Sequence, residues 1–132
     1  MKGEIATKLV GAWRYLGTRF DGAAWDRGAH PKGMIVYTAG GHMAVQIAPD
    51  VERPRAGAAI TPQEALVAIK DYIAYVGTYS VDESAGTVTH HRQAALQPGD
   101  IGPLVRRCEF VGDRLTLLPP NSTLEVMWER IR

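Results

Sequence analysis

The sequence is poor in cysteine and in long apolar runs. Its 132 residues include one cysteine, Cys108, so an internal disulfide is impossible. Residues 1–13 lack the apolar run of a signal peptide, and no stretch approaches the roughly 18 apolar residues of a membrane span. These absences predict a protein of the cytoplasm that has no membrane partner.

The chain also has almost no net charge. The chain has 15 lysine and arginine residues against 14 aspartate and glutamate residues, a net charge of +1. The basic residues are dispersed, and only Arg106 and Arg107 are adjacent. A balanced surface of this kind gives no bulk attraction for DNA or RNA, so no nucleic-acid partner is expected.

Length and composition are those of an ordinary soluble globular protein. Hydrophobic residues make up 45% of the sequence and charged residues 22%. A chain of this length can build one compact domain around one core. Because no repeat of solenoid length and no second domain are evident, we predict one domain over residues 1–132.

Short apolar or alternating segments recur along the chain between turn signals. Asp21-Gly22 ends the first segment, and the runs "AGG" and "GDR" separate later pairs at the spacing of β-hairpins. Eight strands are predicted in this way, at residues 9–20, 33–38, 42–48, 75–81, 87–95, 104–111, 115–118 and 123–131.

One segment has helical periodicity instead, and it reads "TPQEALVAIKDYIAY". Thr61 is placed as an N-cap, Glu64 follows three residues later to complete a capping box, and Pro62 occupies the first helical position. Apolar residues at 66, 69 and 73 then repeat at helical spacing. One amphipathic helix is therefore predicted over about 61–75. The preceding residues 49–59, which contain two prolines, are predicted to form a loop.

Eight consecutive antiparallel strands would have exposed edges unless the sheet closes on itself. An up-and-down barrel removes the edges, and with eight strands it can enclose a small ligand. A two-sheet sandwich is the main alternative. We predict a mainly β fold, an eight-stranded antiparallel up-and-down barrel with one inserted helix.

Several blocks of the sequence resemble a known family. The run "LVGAW" has the Gly-x-Trp pattern of a lipocalin first strand, and "VMWERIR" supplies a late arginine. The longer runs "GMIVYTAGGHMAVQI", "ALVAIKDYIAYVGTYSVDESAGTVTHH" and "VRRCEFVGDRLTL" are similar to a bacterial and fungal lipocalin-like domain family. The resemblance implies a calycin-type barrel in which Trp13 plugs one end and Arg130 packs on it. It implies no reaction, because such barrels host both carriers and enzymes.

The run "TVTHHRQ" contains two of the four histidines, His90 and His91. Side chains of neighbouring residues on a strand point to opposite faces, so these two cannot bind one metal ion together. His30 and His42 do not complete a metal-ligand spacing with them. No metal and no cofactor are therefore expected.

Which face of each strand points inward is left open by the sequence. On the strand at 42–48, an ordinary half-buried strand would turn Met43, Val45 and Ile47 inward. A barrel covered on its outer wall could instead turn His42 and Gln46 inward. On the strand at 104–111 the choice is between the face that carries Arg106, Cys108 and Phe110 and the face that carries Arg107 and Glu109.

A polar lumen gives the candidate site. An imidazole can move a proton near neutral pH, and tyrosine or arginine can stabilise a developing oxyanion. The catalytic candidates are His91, Tyr15, Arg107 and Glu109. The ligand-binding candidates are Trp13, His42, Gln46, Tyr79 and Trp128. Core packing, for the tryptophans, and a solvated charge ladder, for Arg107 and Glu109, are the alternative explanations.

Three functions are compatible with such a barrel. The first is binding of a small hydrophobic or aromatic molecule in the lumen. The second is a cofactor-free isomerase, cyclase or lyase of secondary metabolism that uses histidine, tyrosine and arginine in the lumen. The third is an interaction module whose barrel is filled by its own side chains, and a cavity below about 300 Å³ would argue against a sizeable ligand. An exposed strand or helix face could also form a homodimer.

Overall fold

The computed structural model describes residues 3–53 and 57–132. Within these ranges the helices are α1 (Glu4–Leu9) and α2 (Pro62–Ile69), and a 3-10 turn spans Pro98–Asp100. The strands are β1 (Gly11–Phe20), β2 (Ala23–Ala24), β3 (Lys32–Tyr37), β4 (His42–Ala48), β5 (Ile73–Asp82), β6 (Thr87–Ala95), β7 (Gly102–Val111), β8 (Arg114–Leu118) and β9 (Glu125–Arg130). The loop predicted at 49–59 includes residues 54–56, which lie outside the described ranges.

Eight of these strands close into a barrel. β1 pairs with β3 on one side and with β9 on the other, in both cases antiparallel. Antiparallel pairs between consecutive strands connect β3 through to β9. β2 pairs only with the end of β1 and stands outside the ring. Closure gives every strand of the ring two partners, so the predicted up-and-down barrel is confirmed and the sandwich alternative is wrong.

A bulge in β1 changes which of its side chains point inward. The pairing of β1 with β9 shifts register between Tyr15 and Gly17. Before the bulge, Trp13 and Tyr15 are buried, and after it the buried residue is Thr18. Unbroken alternation would put Arg19 on the inner face with Trp13, but the extra residue reverses the alternation of faces and Arg19 is exposed.

The inserted helix is present but shorter than predicted. Thr61 caps α2, accepting a hydrogen bond from the Glu64 backbone while the Glu64 side chain accepts one from the Thr61 backbone, so the predicted capping box is confirmed. The helix ends at Ile69 instead of residue 75, because Asp71 adopts a left-handed φ of 57° and Ile73 already pairs with Ile47 in the sheet. No residue of α2 is buried.

A short helix that the sequence did not predict covers one end of the barrel. The two carboxylate oxygens of Glu83 accept hydrogen bonds of 3.0 Å from the backbone N–H groups of Ile5 and Ala6 in α1. Leu9, at the end of α1, is fully buried in the core. We call this end, where β1 begins, the closed end, and the opposite end, where β4 finishes, the open end.

The plug that the family resemblance implied lies just inside the closed end. The Trp13 ring is fully buried, and its Nε1 donates to the Leu9 carbonyl at 2.9 Å. The Arg130 guanidinium lies 4.2 Å from the centre of that ring, and it donates to the carbonyls of Val10 and Lys8. Arg130 thus joins the last strand, the plug and the segment before β1.

The described residues contain no helix with the length and apolarity that crossing a membrane requires. Among the described residues the core is a single cluster inside the barrel, to which every strand of the ring except β7 contributes buried side chains. β7 contributes Leu104, Cys108 and Phe110, which pack against this cluster while partly buried. Between the Trp13 plug and the open end, however, the side chains leave a space unfilled.

Candidate functional site

A cavity of about 220 Å³ lies in the lumen. Most of the residues in its wall are apolar, and these apolar residues come from six strands. Its polar members are Tyr75, His90, Arg92, Asp100 and Arg106, and its apolar members are Ile35, Val45, Ile47, Ile73, Leu104, Leu117, Val126 and Trp128. Asp100 belongs to the 3-10 turn between β6 and β7, which places it at the open end.

Alternation along β6 sends one of the paired histidines into this cavity. Val88 and His90 are buried while His91 is exposed. Arg92 follows His90 on the inner face and is half-buried. The residue that pairs with His90 on β7 is Leu104, which also lines the cavity. The histidine that faces the lumen is therefore His90.

His90 is held between two tyrosine hydroxyls. Tyr37 Oη lies 2.6 Å from His90 Nε2, and Tyr75 Oη lies 2.7 Å from His90 Nδ1. Burial, assisted by the positive charges of Arg106 and Arg92, lowers the pKa of His90 to about 3. The imidazole is therefore neutral at pH 7, with one nitrogen that donates and one that accepts.

Both tyrosines also stay protonated at neutral pH. Burial raises the pKa of Tyr75 to about 12, against the opposing effect of Arg106 and Arg92. Burial likewise raises the pKa of Tyr37 well above its ordinary value. The chain of Tyr37, His90 and Tyr75 is thus electrically neutral, and its chemistry at pH 7 is that of hydrogen bonding.

Two arginines bring positive charge to the cavity wall. Arg106 is half-buried, and burial lowers the pKa of its guanidinium although Tyr75 opposes that change. Arg92 lies with its guanidinium 5.5 Å from the Tyr75 ring centre and donates from Nε to the Gly102 carbonyl at 3.0 Å. Among the described residues neither arginine forms an ion pair with a carboxylate.

Trp128 adds an unused donor to the same wall. The residue is 2% exposed, and its indole packs edge-on against Tyr15 with ring centres 5.4 Å apart. Its Nε1 is buried and has no hydrogen-bond partner among the described residues. A buried polar group without a partner is uncommon in folded proteins and calls for an explanation.

A second polar cluster surrounds Tyr15. Its hydroxyl lies 2.5 Å from Thr18 Oγ1, and the Arg27 guanidinium donates to both oxygens at 3.1 and 3.0 Å. Arg27 is buried to 9% exposure although it comes from the loop between β2 and β3. Its backbone carbonyl accepts a hydrogen bond from the Asp50 backbone. The cluster fastens that loop to β1 and to the segment after β4.

The predicted site residues divide into an inner and an outer group. Trp13, Tyr15 and Trp128 are buried inside the barrel, and of these three Trp128 lines the cavity. Tyr79 is half-buried near the closed end, where its hydroxyl donates to the Thr38 carbonyl at 2.6 Å. Their roles in ligand binding and catalysis stay predictions.

Five predicted residues lie on the outer wall, and the prediction that they face the lumen is wrong. His42 and Gln46 are exposed because the apolar face of β4 points inward, as in an ordinary half-buried strand. His91 is exposed and its Nε2 lies 2.9 Å from Ser80 Oγ. Arg107 and Glu109 form an ion pair 3.6 Å long on the outer face of β7.

The sequence did contain a signal for the correct residues. Residues that pair across antiparallel strands share a face, so an inward Val45 requires an inward Tyr75, its partner on β5. On β7 the inner face carries Arg106 opposite the buried Val88. Choosing the apolar face of β4 and following the pairing would have identified Tyr75, and taking the apolar Val88 of β6 as inward would have identified Arg106. The residues that reasoning from the sequence left out are Tyr37, Tyr75, His90, Arg92, Asp100 and Arg106.

Four depressions of the described surface are larger than the lumen cavity, and two of them, of about 440 and 540 Å³, lie on the outer wall of the barrel. They share Met34 and Gln46 and continue over exposed apolar residues such as Val76. Neither is lined by the tyrosine–histidine pair and the two arginines that line the lumen cavity. The lumen is the better candidate site, and the predicted homodimer stays a prediction.

Metal ligation and thiol chemistry have little support in the described part of the chain. No group of three or more histidine, cysteine or acidic residues lies close enough to hold a metal ion there. Cys108 points into the barrel, and burial raises the pKa of its thiol to about 12. A thiol with so high a pKa is a poor nucleophile at neutral pH.

Comparison with known proteins agrees with the resemblance noted in the sequence. Residues 10–130 match the family model described as "Lipocalin-like domain". The match begins just before β1 and ends with the last residue of β9, so it spans the whole ring of strands. No curated protein matches the chain.

Proposed function

The chain belongs to the lipocalin-like domain family, and we propose that it binds a small, largely apolar molecule in the lumen of its barrel. Barrels of this fold commonly bind small hydrophobic ligands. The observation that carries the proposal is the cavity of about 220 Å³, with its apolar wall and few convergent polar groups. Such a combination is typical of small-molecule sites.

The volume of the cavity limits the size of the ligand. At about 220 Å³ it is smaller than the roughly 300 Å³ at which drug-sized sites begin. It is larger than a cavity of about 150 Å³ that accommodates benzene. We therefore propose a ligand of one aromatic ring, or of two rings if part of it extends into the open end.

The protonation states in the lumen favour binding over catalysis. A general acid or base works best with a pKa near the working pH. The pKa of His90 is about 3 and that of Tyr75 about 12, so neither group exchanges protons readily at pH 7. Both nitrogens of His90 are also occupied by tyrosine hydroxyls. We propose a carrier or sensor, and the lone Cys108 supports a cytoplasmic site of action.

Neighbouring residues on β7 provide a matched pair of variants for a test. Leu104 lines the cavity, whereas Val105 is 39% exposed on the outer face. Leu104→Trp should fill the lumen, and Val105→Trp should not. Calorimetric titration with a panel of one- and two-ring aromatic compounds should show binding to the unmodified protein and to Val105→Trp, with loss of binding in Leu104→Trp.

Two outcomes would contradict the proposal. Failure of every compound in the panel to bind the unmodified protein would argue for a barrel with no guest. Equal binding by the two tryptophan variants would place the ligand outside the lumen. The melting curve of Leu104→Trp should be recorded beside the titration, so that loss of binding is scored on folded protein.

A further inference from the structure

The hydrogen bonds of His90 have a direction that follows from its neutral state. A neutral imidazole has one N–H and one acceptor nitrogen, so its two tyrosine partners must play opposite roles. Tyr37 is 1% exposed, and among the described residues the only hydrogen-bond partner of its hydroxyl is His90 Nε2. If Tyr37 accepted from Nε2–H, its own buried hydroxyl proton would have no acceptor, which is costly.

Tyr37 therefore donates to His90 Nε2, and the ring proton is on Nδ1. The Nδ1–H group then donates to Tyr75 Oη, 2.7 Å away. Tyr75 lines the cavity, and its hydroxyl proton is not used by His90. The chain of three residues thus leaves one O–H donor, that of Tyr75, free to bind a ligand in the lumen.

Most of the other polar groups of the cavity wall are donors as well. Arg106 and Arg92 carry positive charge without a carboxylate partner in the described residues, and each donates one hydrogen bond to a backbone carbonyl. The Trp128 Nε1 is buried without an acceptor there. Among the described residues Asp100 is the one carboxylate in the cavity wall, and it stands at the open end in the 3-10 turn. Donors and positive charge that outnumber this single carboxylate favour an acceptor-rich, negatively charged ligand.

We infer that the lumen ligand is a small aromatic carboxylate, whose ring lies among the apolar residues and whose carboxylate is bound by Arg106 and by the free Tyr75 hydroxyl. Guanidinium matches the planar geometry of a carboxylate, and a neutral donor beside it adds a second hydrogen bond. Arg92 and Trp128 supply further donors in the same wall. This inference rests on the proposed function, because it specifies the ligand of the same cavity.

The direction of the hydrogen-bond chain can be measured first. Nitrogen-15 NMR of the imidazole distinguishes the two neutral tautomers, and His90 should be protonated at Nδ1 and unprotonated at Nε2. Protonation at Nε2 would overturn the role of Tyr75 as the free donor. Tyr75→Phe removes that donor and should weaken carboxylate binding, whereas Tyr72→Phe, whose hydroxyl meets Gln46 on the outer wall, should not.

The class of ligand is tested with pairs that differ only in the acid group. Benzoate is compared with benzamide, and cinnamate with cinnamamide, by calorimetric titration of the unmodified protein. We expect each acid to bind about tenfold more tightly than its amide, the effect of one charge-assisted hydrogen bond. Arg106→Gln should remove this preference while keeping amide binding. Its neighbour Arg107, on the outer face, provides the control, and Arg107→Gln should keep the preference.

The outcomes separate this inference from the proposed function. Equal or tighter binding of the amides would leave the proposed function standing and overturn the carboxylate assignment. Equal weakening of acid and amide by Arg106→Gln would overturn the assignment too, because the arginine would then act on packing alone. Absence of binding by acids, amides and the neutral panel together would overturn both proposals.

Discussion

Tyr37 and His90 meet inside the barrel through a hydrogen bond of 2.6 Å between Tyr37 Oη and His90 Nε2, although they are 53 residues apart in the sequence. Tyr37 is the last residue of β3 and His90 lies in the middle of β6. Two other strands, β4 and β5, lie between them in the sheet. Closure of the barrel, and not pairing of neighbouring strands, brings the two side chains together.

Protonation of His90 should make the protein less stable in acid. Its pKa falls from 6.5 to about 3 on folding, so the unfolded chain binds a proton first as the pH is lowered. The stability that neutral His90 contributes is therefore complete above pH 6.5 and is lost as the pH falls from about 6.5 towards 3. The slope is about 1.4 kcal/mol per pH unit within that window.

Nitrogen-15 NMR and urea unfolding test this pH dependence. The ring of His90 should keep its neutral spectrum from pH 7 to pH 5 in the folded protein. The free energy of unfolding should depend less steeply on pH in His90→Gln than in the unmodified protein over the same range. An imidazolium spectrum for His90 at pH 5 in the folded protein would show that the burial and the two arginines do not lower its pKa.

Loss of the plug should cost more stability than loss of an exposed ring of the same type. Trp13 is fully buried under Arg130, so Trp13→Ala should lower the free energy of unfolding by about 3–5 kcal/mol. Trp25 is 47% exposed, and Trp25→Ala should have a much smaller effect. Similar losses in the two variants, measured by urea unfolding, would refute the plug.

The attachment of α1 should depend on one side chain. Glu83 accepts the hydrogen bonds of two backbone N–H groups at the start of the helix, which no residue of the helix itself can satisfy. Glu83→Ala should therefore speed hydrogen exchange in Glu4–Leu9 and lower stability by about 1–2 kcal/mol. Glu109→Ala, which removes a carboxylate from the outer face, serves as control. Unchanged exchange in Glu83→Ala would show that the apolar contacts of Ile5 and Leu9 hold α1 without Glu83.

Gly77 should tolerate no side chain. A Cβ at this position would lie 1.9 Å from the His91 carbonyl oxygen, so β5 and β6 would have to separate. Gly77→Ala should lower the free energy of unfolding by about 1–3 kcal/mol or more. A Cβ at Gly99 meets nothing within 4 Å, and Gly99→Ala should leave stability nearly unchanged. A Gly77→Ala protein as stable as the unmodified one would contradict the close approach.

Local patterns in the sequence were sufficient for the barrel. Turn dipeptides in the sequence separate eight strands, and eight antiparallel strands can close into a barrel. The Thr61–Glu64 capping box marks the start of α2. The Gly-x-Trp pattern identified Trp13 as a plug and Arg130 as its partner. α1 was missed because its six residues carry no strong helical pattern, and its support comes from Glu83, 78 residues away.

The inner faces were harder to predict, because bulges interrupt the alternation. Between β5 and β6 the register shifts at Val76 and Gly77, where Gly77 pairs with Arg92 although Val76 pairs with Ala94. Carrying the alternation of faces through that point without the extra residue gives the wrong face of β6. His91 in place of His90 follows from such an error. The inner face of β7 was equally uncertain, and for that reason Arg107 and Glu109 were chosen instead of Arg106.

A crystal structure of the protein with 4-bromobenzoate would show where the ligand binds, because the anomalous signal of bromine locates the ring. We expect the bromine inside the barrel, among the apolar residues of the lumen, with the carboxylate within hydrogen-bond distance of the Arg106 guanidinium. Bromine bound only in the outer depressions beside Met34, or an empty lumen at saturating ligand, would contradict it.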